Sequence, residues 1–363
     1  ITLGTAADVD RAVAAAKTAF EGFAQTPKSE RLALLERLLE LSRARFEDLA
    51  QAMTREMGVP ISFSRDMQAD AAIGHCQGFI DALRAQPERE ELAEGEVLVR
   101  EPGGGCGLIT PWNWPINQIA LKVIPALAAG ATCILKPSEH TPLSAAIYAE
   151  IIDEAGYPAG VFNLVNGDGP TVGAALACHP DVQMMSFTGS TRAGTEVSRN
   201  AAPTVKRVTL ELGGKSPNIV FADCDLETRV TAGVAECFSN TGQSCDAPTR
   251  MLVERSCYDE ALAIATRATA ATTVGNPLDE GEHLGPLFDQ IQYDRVQALI
   301  AAGIDEGARL LVGGPGKPDG FAKGWFVRPT LFADVTPDMR IAREEIFGPV
   351  LVIMPFDDED EAV

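Results

Sequence analysis

Apolar residues recur at helical spacing through the first sixty positions and at shorter spacing through most of the rest. Val9, Val13, Ala16 and Phe20 share one helical face after Thr5, which reads as an N-cap with Asp8 three positions on. From Ser29 a longer helix sets Leu32, Leu35, Leu39, Phe46, Leu49 and Met53 along one face, and Gly58 and Pro60 stop it. A third, less regular helical segment continues to about Leu83.

Then the period changes. Residues 97–99, 106–110, 131–135, 161–165 and 182–187 are short apolar runs, most of them separated by helical stretches at 117–129, 142–155 and 170–177. A second series of runs follows Gly213, at 218–221, 250–254, 309–312 and 349–356. Strand and helix in alternation predict βαβ units and doubly wound parallel sheets, here as two Rossmann-like α/β domains with a boundary near residue 212. Residues 87–95 are acidic and punctuated by Pro and Gly, and Gly313 to Pro318 reads as a solvated loop.

Composition narrows the function classes. The 363 residues fit two domains on a prior of roughly 150 each. No segment approaches the ~18 uninterrupted apolar residues of a membrane-spanning helix. A net charge of −21 argues against nonspecific binding to nucleic acid, which needs phosphate neutralisation, and against an anionic membrane surface. None of the eight cysteines forms a C-x-x-C pair and none of the four histidines an H-x-x-x-H pair, so no zinc site is expected. Cys106 and Cys133 lie in apolar runs, a pattern that suits reduced core thiols in a cytosolic protein.

The dinucleotide fingerprint G-x-G-x-x-G is absent after the first strand of the alternating series. Gly103-Gly104-Gly105-Cys106-Gly107 precedes a strand instead of opening a helix and reads as a flexible strand entry. A P-loop at Gly214-Lys215-Ser216 fails too, because position 209 is threonine where that motif needs glycine. Phosphate binding fits better at Phe187-Thr188-Gly189-Ser190, where a strand ends and a helix begins, although Thr-Gly-Ser by itself is an ordinary N-cap. Lys136-Pro137-Ser138-Glu139 likewise follows a strand, at the edge where α/β proteins bind ligands, and by itself reads equally as a capped helix start. The candidate chemistry sits in Asn240-Thr241-Gly242-Gln243-Ser244-Cys245 and in Glu211-Leu212-Gly213-Gly214-Lys215. A thiol and a separately held carboxylate are the minimum equipment for making a thioester and hydrolysing it.

These stretches, with Pro111-Trp112-Asn113-Trp114-Pro115 and Glu344-Glu345-Ile346-Phe347-Gly348-Pro349, occur in one order. Together they resemble the NAD(P)-dependent aldehyde dehydrogenase superfamily, over essentially the whole chain. The resemblance implies an NAD-binding domain of residues 1–86 and 103–212, an oligomerisation flap segment of residues 87–102, and a catalytic domain of residues 213–363. It makes Cys245 the nucleophile, Asn113 a donor to the oxyanion and Glu211 the general base of hydrolysis. The cofactor falls to Ile109, Thr110, Pro111, Trp112, Lys136, Ser138, Glu139, Gly169, Gly173, Phe187, Thr188, Gly189, Ser190, Leu212, Gly213, Glu345 and Phe347. Trp112 and Ser190 are expected near its pyrophosphate, Lys136 and Glu139 at the adenine ribose, and Glu345 and Phe347 at the nicotinamide ribose and ring. A carboxylate at position 139 would repel a 2′-phosphate, which favours NAD over NADP.

The resemblance places Trp114, Asn117, Gln118 and Leu121 along a substrate tunnel, and the two amides hint at one less greasy than tunnels serving long aliphatic aldehydes. It also implies a cytoplasmic protein that is a homodimer or homotetramer at full length. Two alternatives remain: a CoA-acylating semialdehyde dehydrogenase, whose members generally lack the base at Glu211, and a non-catalytic nucleotide-binding chain. The chain begins at Ile1 and ends at Val363 just after an apolar run, where family members continue, so a fragment is expected. Asp246 departs from the neutral residue usual after the nucleophile; it either faces away, solvated or paired with a cation such as Arg250, or burdens the thiol with a negative charge.

Overall fold

The opening periodicity folds as α1 (Ala6–Phe23), α2 (Lys28–Ala44) and α3 (Phe46–Met57) in the computed structural model, which describes residues 1–363. Thr5 and Asp8 form a reciprocal capping box at the start of α1, and Val9, Val13, Ala16 and Phe23 are buried. The single helix expected from Ser29 to Met53 is two helices. Arg45 leaves helical geometry at φ −100° and ψ 16°, and its guanidinium is held by Asp48 and Glu150 at 2.5 and 3.2 Å. The irregular stretch resolves into α4 (Ile61–Phe63), a π-helical turn (Ser64–Ala69) and α5 (Asp70–Ala85).

Two compact units divide the chain: residues 1–56 with 64–212, and residues 57–63 with 213–363. In the first, β1 (Arg89–Ala93) and β2 (Glu96–Val99) make an antiparallel hairpin with every residue exposed. A five-stranded parallel sheet follows: β3 (Gly105–Ile109), β4 (Thr132–Lys136), β5 (Phe162–Leu164), β6 (Met184–Thr188) and β7 (Arg207–Glu211), in the order β5-β4-β3-β6-β7. The crossovers run through α6 (Pro115–Ala128), α7 (Pro142–Glu154), α8 (Ala174–Cys178) and α9 (Thr191–Ala201). β3 and β4 are buried along their whole length, as parallel strands covered on both faces must be. Val9, Val13 and Ala16 of α1 pack with Ile134, Val172 and Met185. β7 escaped the apolar-run reading because it is an edge strand whose Arg207, Thr209 and Glu211 alternate outward.

Gly103 to Gly105 do enter a strand, but a held one. The Gly105 N–H donates to Gln183 Oε1 at 2.7 Å, and a Cβ on Gly104, at φ +112°, would lie 2.6 Å from that same oxygen.

The second unit has its own five-stranded sheet, in the order β10-β11-β12-β9-β8. Its members are β8 (Pro217–Val220), β9 (Arg250–Glu254), β10 (Arg309–Val312), β11 (Thr330–Ala333) and β12 (Val350–Phe356). Only β10 runs antiparallel. α10 (Leu226–Phe238), α11 (Tyr258–Ala271) and α12 (Gln290–Asp305) cover it, with short α13 (Arg340–Arg343) and α14 (Glu359–Ala362). Two apolar clusters form its core, one around Phe238, Met251 and Ile353, the other around Leu299, Phe332 and Val352. No helix is long and apolar enough to cross a membrane.

Candidate functional site

Parallel pairing brings the carboxyl ends of the first sheet into one row. Ile109 is in register with Lys136 on one side and with Phe187 on the other, and Thr188 is in register with Glu211. The ladder continues past the strands, through Thr110 N–H to Lys136 O at 3.2 Å and Gly189 N–H to Glu211 O at 3.0 Å. The chain leaves β3 towards β4 and β5, then returns to β6 and β7 on the other side. The switch point of this doubly wound sheet therefore falls between β3 and β6, where such sheets bind ligands. Thr110 and Thr188 stand there, both buried, each with a hydroxyl that has no partner.

The flanking groups are equally specific. Lys136 is 3% exposed and its Nζ donates to Glu139 Oε2 at 3.0 Å. Burial works to raise the Glu139 carboxyl, but its backbone hydrogen bond and Lys136 outweigh that and hold it below the usual carboxylate range. Ser138 Oγ accepts from His140 N–H at 3.3 Å. Ser190 caps α9 by accepting from Ala193 N–H at 3.3 Å, and a Cβ on Gly189 would lie 2.7 Å from the Phe187 ring. The segment Gly169–Gly173 is a π-helical turn capped by Asp168; Gly169 faces open space and Gly173 lies against Ile109.

Two charges here, one half-buried and one buried, went unnoticed in the sequence. Glu56 accepts from Leu143 N–H and Ser144 N–H, so it caps α7 from another helix, and burial pushes its carboxyl up. Lys122 donates to Ser186 Oγ at 3.0 Å; burial pushes its ammonium down to about 8, against the opposing pull of the Glu211 carboxylate. One signal could have found Lys122: it is the only charged residue on α6.

Asn113 is buried just before α6, and its carbonyl accepts from Gln68 Nε2 at 3.1 Å. Trp112 beside it is half-buried, as is Pro111. Trp114, Asn117, Gln118 and Leu121 are spaced i, i+3, i+4 and i+7, and each stays accessible on a helix whose Ile116, Ile119, Ala120 and Val123 are wholly buried.

The second unit builds the thiol's surroundings. Asn240, Thr241 and Gly242 take three successive left-handed conformations, at φ 52°, 58° and 71°. For a β-branched threonine that costs of order 1 kcal/mol or more and must be held by its neighbours. Gln243 supplies the hold: its Oε1 accepts from Phe288 N–H at 3.0 Å and its Nε2 donates to Asn240 O at 3.2 Å. A Cβ on Gly242 would sit 2.2 Å from Gly348 O, so only glycine fits. Cys245 emerges from this turn half-buried, while Asp246 is exposed and forms no salt bridge with Arg250.

Gly213 and Glu345 meet in the same unit. A Cβ on Gly213 would lie 2.2 Å from Glu345 Oε2, and Gly214 N–H donates to Oε1 at 3.4 Å. Burial raises the Glu345 carboxyl, with the Gly214 N–H, Arg295 and Lys215 pulling the other way. Phe347 is left-handed at φ 61°, and Gln292 Nε2 donates to the carbonyls of Ile346 and Phe347 at 3.2 and 2.7 Å. Arg295 donates to Glu345 O at 2.6 Å. Neither Gln292 nor Arg295 carried a motif that sequence reading could have used. Lys215 is nearby, its Nζ buried without a hydrogen-bond partner, and burial pushes it down to about 8. Leu212, the last residue of the first unit, is half-buried.

A model of the aldehyde dehydrogenase family matches residues 1–363. The chain is 54% identical over 364 residues to a 3-succinoylsemialdehyde-pyridine dehydrogenase of a Pseudomonas species, covering 100% of this chain and 76% of that one. Its structure is similar to an aldehyde dehydrogenase of Bartonella henselae, with a TM-score of 0.98 and 53% identity, over 100% of this chain and 77% of that one. It is similar also to a mutant of aldehyde dehydrogenase C of Pseudomonas syringae in complex with NAD+ and octanal, with a TM-score of 0.97 and 52% identity, over 99% and 74% of the two chains. With a family match along its whole length, and sheets and motifs laid out as above, this chain belongs to the aldehyde dehydrogenase family.

Proposed function

We propose that this chain oxidises an aldehyde to its carboxylate with NAD, using Cys245 as nucleophile and Glu211 as general base. The observation that carries the reading is the Cys245 turn, where three left-handed residues and a doubly bonded Gln243 amide hold a half-buried thiol at the end of a strained loop. Strain of that kind persists where function needs it.

The residues present fit the dinucleotide. Unpartnered buried hydroxyls on Thr110 and Thr188 lie at the switch point, and the Lys136–Glu139 pair stands beside them ready for ribose hydroxyls. Ser190 at the start of α9 suits a pyrophosphate, and Glu345 and Phe347 suit the nicotinamide end. When bound, NAD supplies the acceptor for the hydride that the substrate carbon gives up.

The chain's own groups do the rest. The Cys245 thiolate adds to the aldehyde carbon, forming a C–S bond and leaving charge on the former carbonyl oxygen. The Asn113 amide and the Cys245 backbone N–H are the donors assigned to that oxyanion, each worth ~3 kcal/mol in such a role. Loss of hydride leaves a thioester on Cys245. Glu211 then takes a proton from water as the water attacks that carbonyl, and the thiolate departs. Glu211 is also what separates this reading from transfer to CoA, which needs no such base.

The named relatives suggest the substrate range to test, from octanal to 3-succinoylsemialdehyde-pyridine. Eight free cysteines suit a reducing cytosol, and the fully exposed β1–β2 hairpin suits assembly with further copies of the chain.

The test is NADH formation across an aldehyde panel. Cys245→Ala should abolish turnover while leaving NAD affinity intact by calorimetry. Glu211→Gln should release one equivalent of NADH in a burst and then stall. Steady turnover by Glu211→Gln would remove it as the base, and turnover by Cys245→Ala would remove the covalent route altogether.

A further inference from the structure

α6 offers one accessible face, Trp114–Asn117–Gln118–Leu121, and that face begins next to Asn113. Asn117 is not free to turn on it. His75 Nε2, on the neighbouring α5, lies 2.5 Å from Asn117 Oδ1. An amide oxygen can only accept, so the imidazole donates from Nε2 and fixes that oxygen on the side of α5. Both protons on Asn117 Nδ2 are left on the accessible face, and no other protein group receives them.

Resting on the aldehyde-oxidising reading above, we infer that the His75–Asn117 pair makes this site selective for aldehydes carrying a hydrogen-bond acceptor, such as a ketone oxygen or a ring nitrogen, a few bonds from the aldehyde carbon. Asn113 lies just before α6 and Asn117 is the third residue of that helix, so the two are four residues apart along the chain. A substrate whose carbonyl oxygen is held at Asn113, with its tail along α6, brings a group about four bonds away beside the Asn117 N–H. An acceptor there replaces the water that the N–H gives up. A plain alkyl tail removes the water and returns nothing, and an unmade hydrogen bond is what gives polar sites their discrimination. His75 acts as a positioning residue: by fixing which end of the amide faces out, it makes the site a donor.

The experiment compares octanal with 4-oxooctanal, equal in length and differing by one ketone oxygen. The native enzyme should prefer the keto-aldehyde by about ten-fold in kcat/KM. Asn117→Leu should collapse that ratio towards one. His75→Phe should lower it, and His75→Gln, which keeps an N–H donor, should restore most of it; this second pair reads the same contact if Asn117→Leu fails to fold. Turnover of both aldehydes with no preference, or a preference surviving in Asn117→Leu and in His75→Phe, overturns the inference alone. Absence of NADH from every aldehyde overturns the parent reading and the inference with it.

Discussion

Single atoms decide much of the proposed cofactor site. A Cβ on Gly213 would push the Glu345 carboxylate aside, and Gly242 admits only glycine because Gly348 O occupies the place of its Cβ. Both were visible as glycines in motifs, but the groups that exclude a side chain lie over a hundred residues away and could not be read along the chain. Glu139 is a case where the residue itself carries the expectation. Its carboxylate, kept charged despite burial by its backbone hydrogen bond and Lys136, should repel a 2′-phosphate. NAD should therefore bind at least ten-fold tighter than NADP, about 1.4 kcal/mol, and Glu139→Gln should narrow the gap. Calorimetric titration of both nucleotides against both proteins measures this, and equal affinities for the native protein would dismiss the placement.

At the scale of elements, buried parallel strands were the legible part, because strands covered on both faces must be continuous apolar runs. β9 matches its expected bounds, and β3, β4 and β12 lie within a residue or two of theirs; β10 matches as well, although it is an antiparallel edge strand, while the buried β11 went unread. β7 and β1 were not legible, being an edge strand and an exposed hairpin arm rich in charge. The break between α2 and α3 was hidden because the apolar pattern runs on through Arg45, whose partners Asp48 and Glu150 hold the turn. Caps show the same division. Asp8 caps its own helix three residues away, a local signal, whereas Glu56 caps α7 from 86 residues upstream of its first residue, Pro142. α12 supplies an element-scale test, since it carries Gln292 and Asp289 caps it by accepting from Gln292 N–H at 2.8 Å. Asp289→Ala should cost about 1 kcal/mol of stability in urea unfolding, and Asp289→Asn, an equally good cap, should recover most of it. An undiminished unfolding midpoint in Asp289→Ala would show that the cap contributes nothing.

Across the whole molecule, 51 acidic residues face 30 basic ones, so stability should depend on which carboxylates find partners. Glu47 is the clearest of these. A hydrogen bond from Arg65, backed by Gln51, lowers its carboxyl to about 2. A folded-state pKa below the ordinary 4.5 means that the native form binds its proton less readily than the unfolded one. The pair therefore stabilises above about pH 4.5, and the contribution fades as pH falls from there towards 2. Both groups are exposed enough for solvent screening, which limits the effect to at most ~1 kcal/mol. Glu47→Gln should be less stable than the native protein at pH 7, with a gap that shrinks on acidification and in molar salt. A gap that widened on acidification would contradict this sign.

The sequence by itself determined the period of each long element, the alternation that makes doubly wound sheets, and the short motifs that sit at strand ends, because these depend on neighbours within a few residues. Membership of the family was legible for the same reason: each motif is contiguous and their order is linear. Only the tertiary structure decided what those motifs touch. It set Thr110 beside Thr188 through strand register, aimed the Lys122 ammonium at Ser186, tied the Cys245 turn to Phe288, and turned Asn117 through His75. These contacts join positions 35 or more residues apart in sequence, and their energies come from burial and hydrogen bonding, which exist only once the chain has closed on itself.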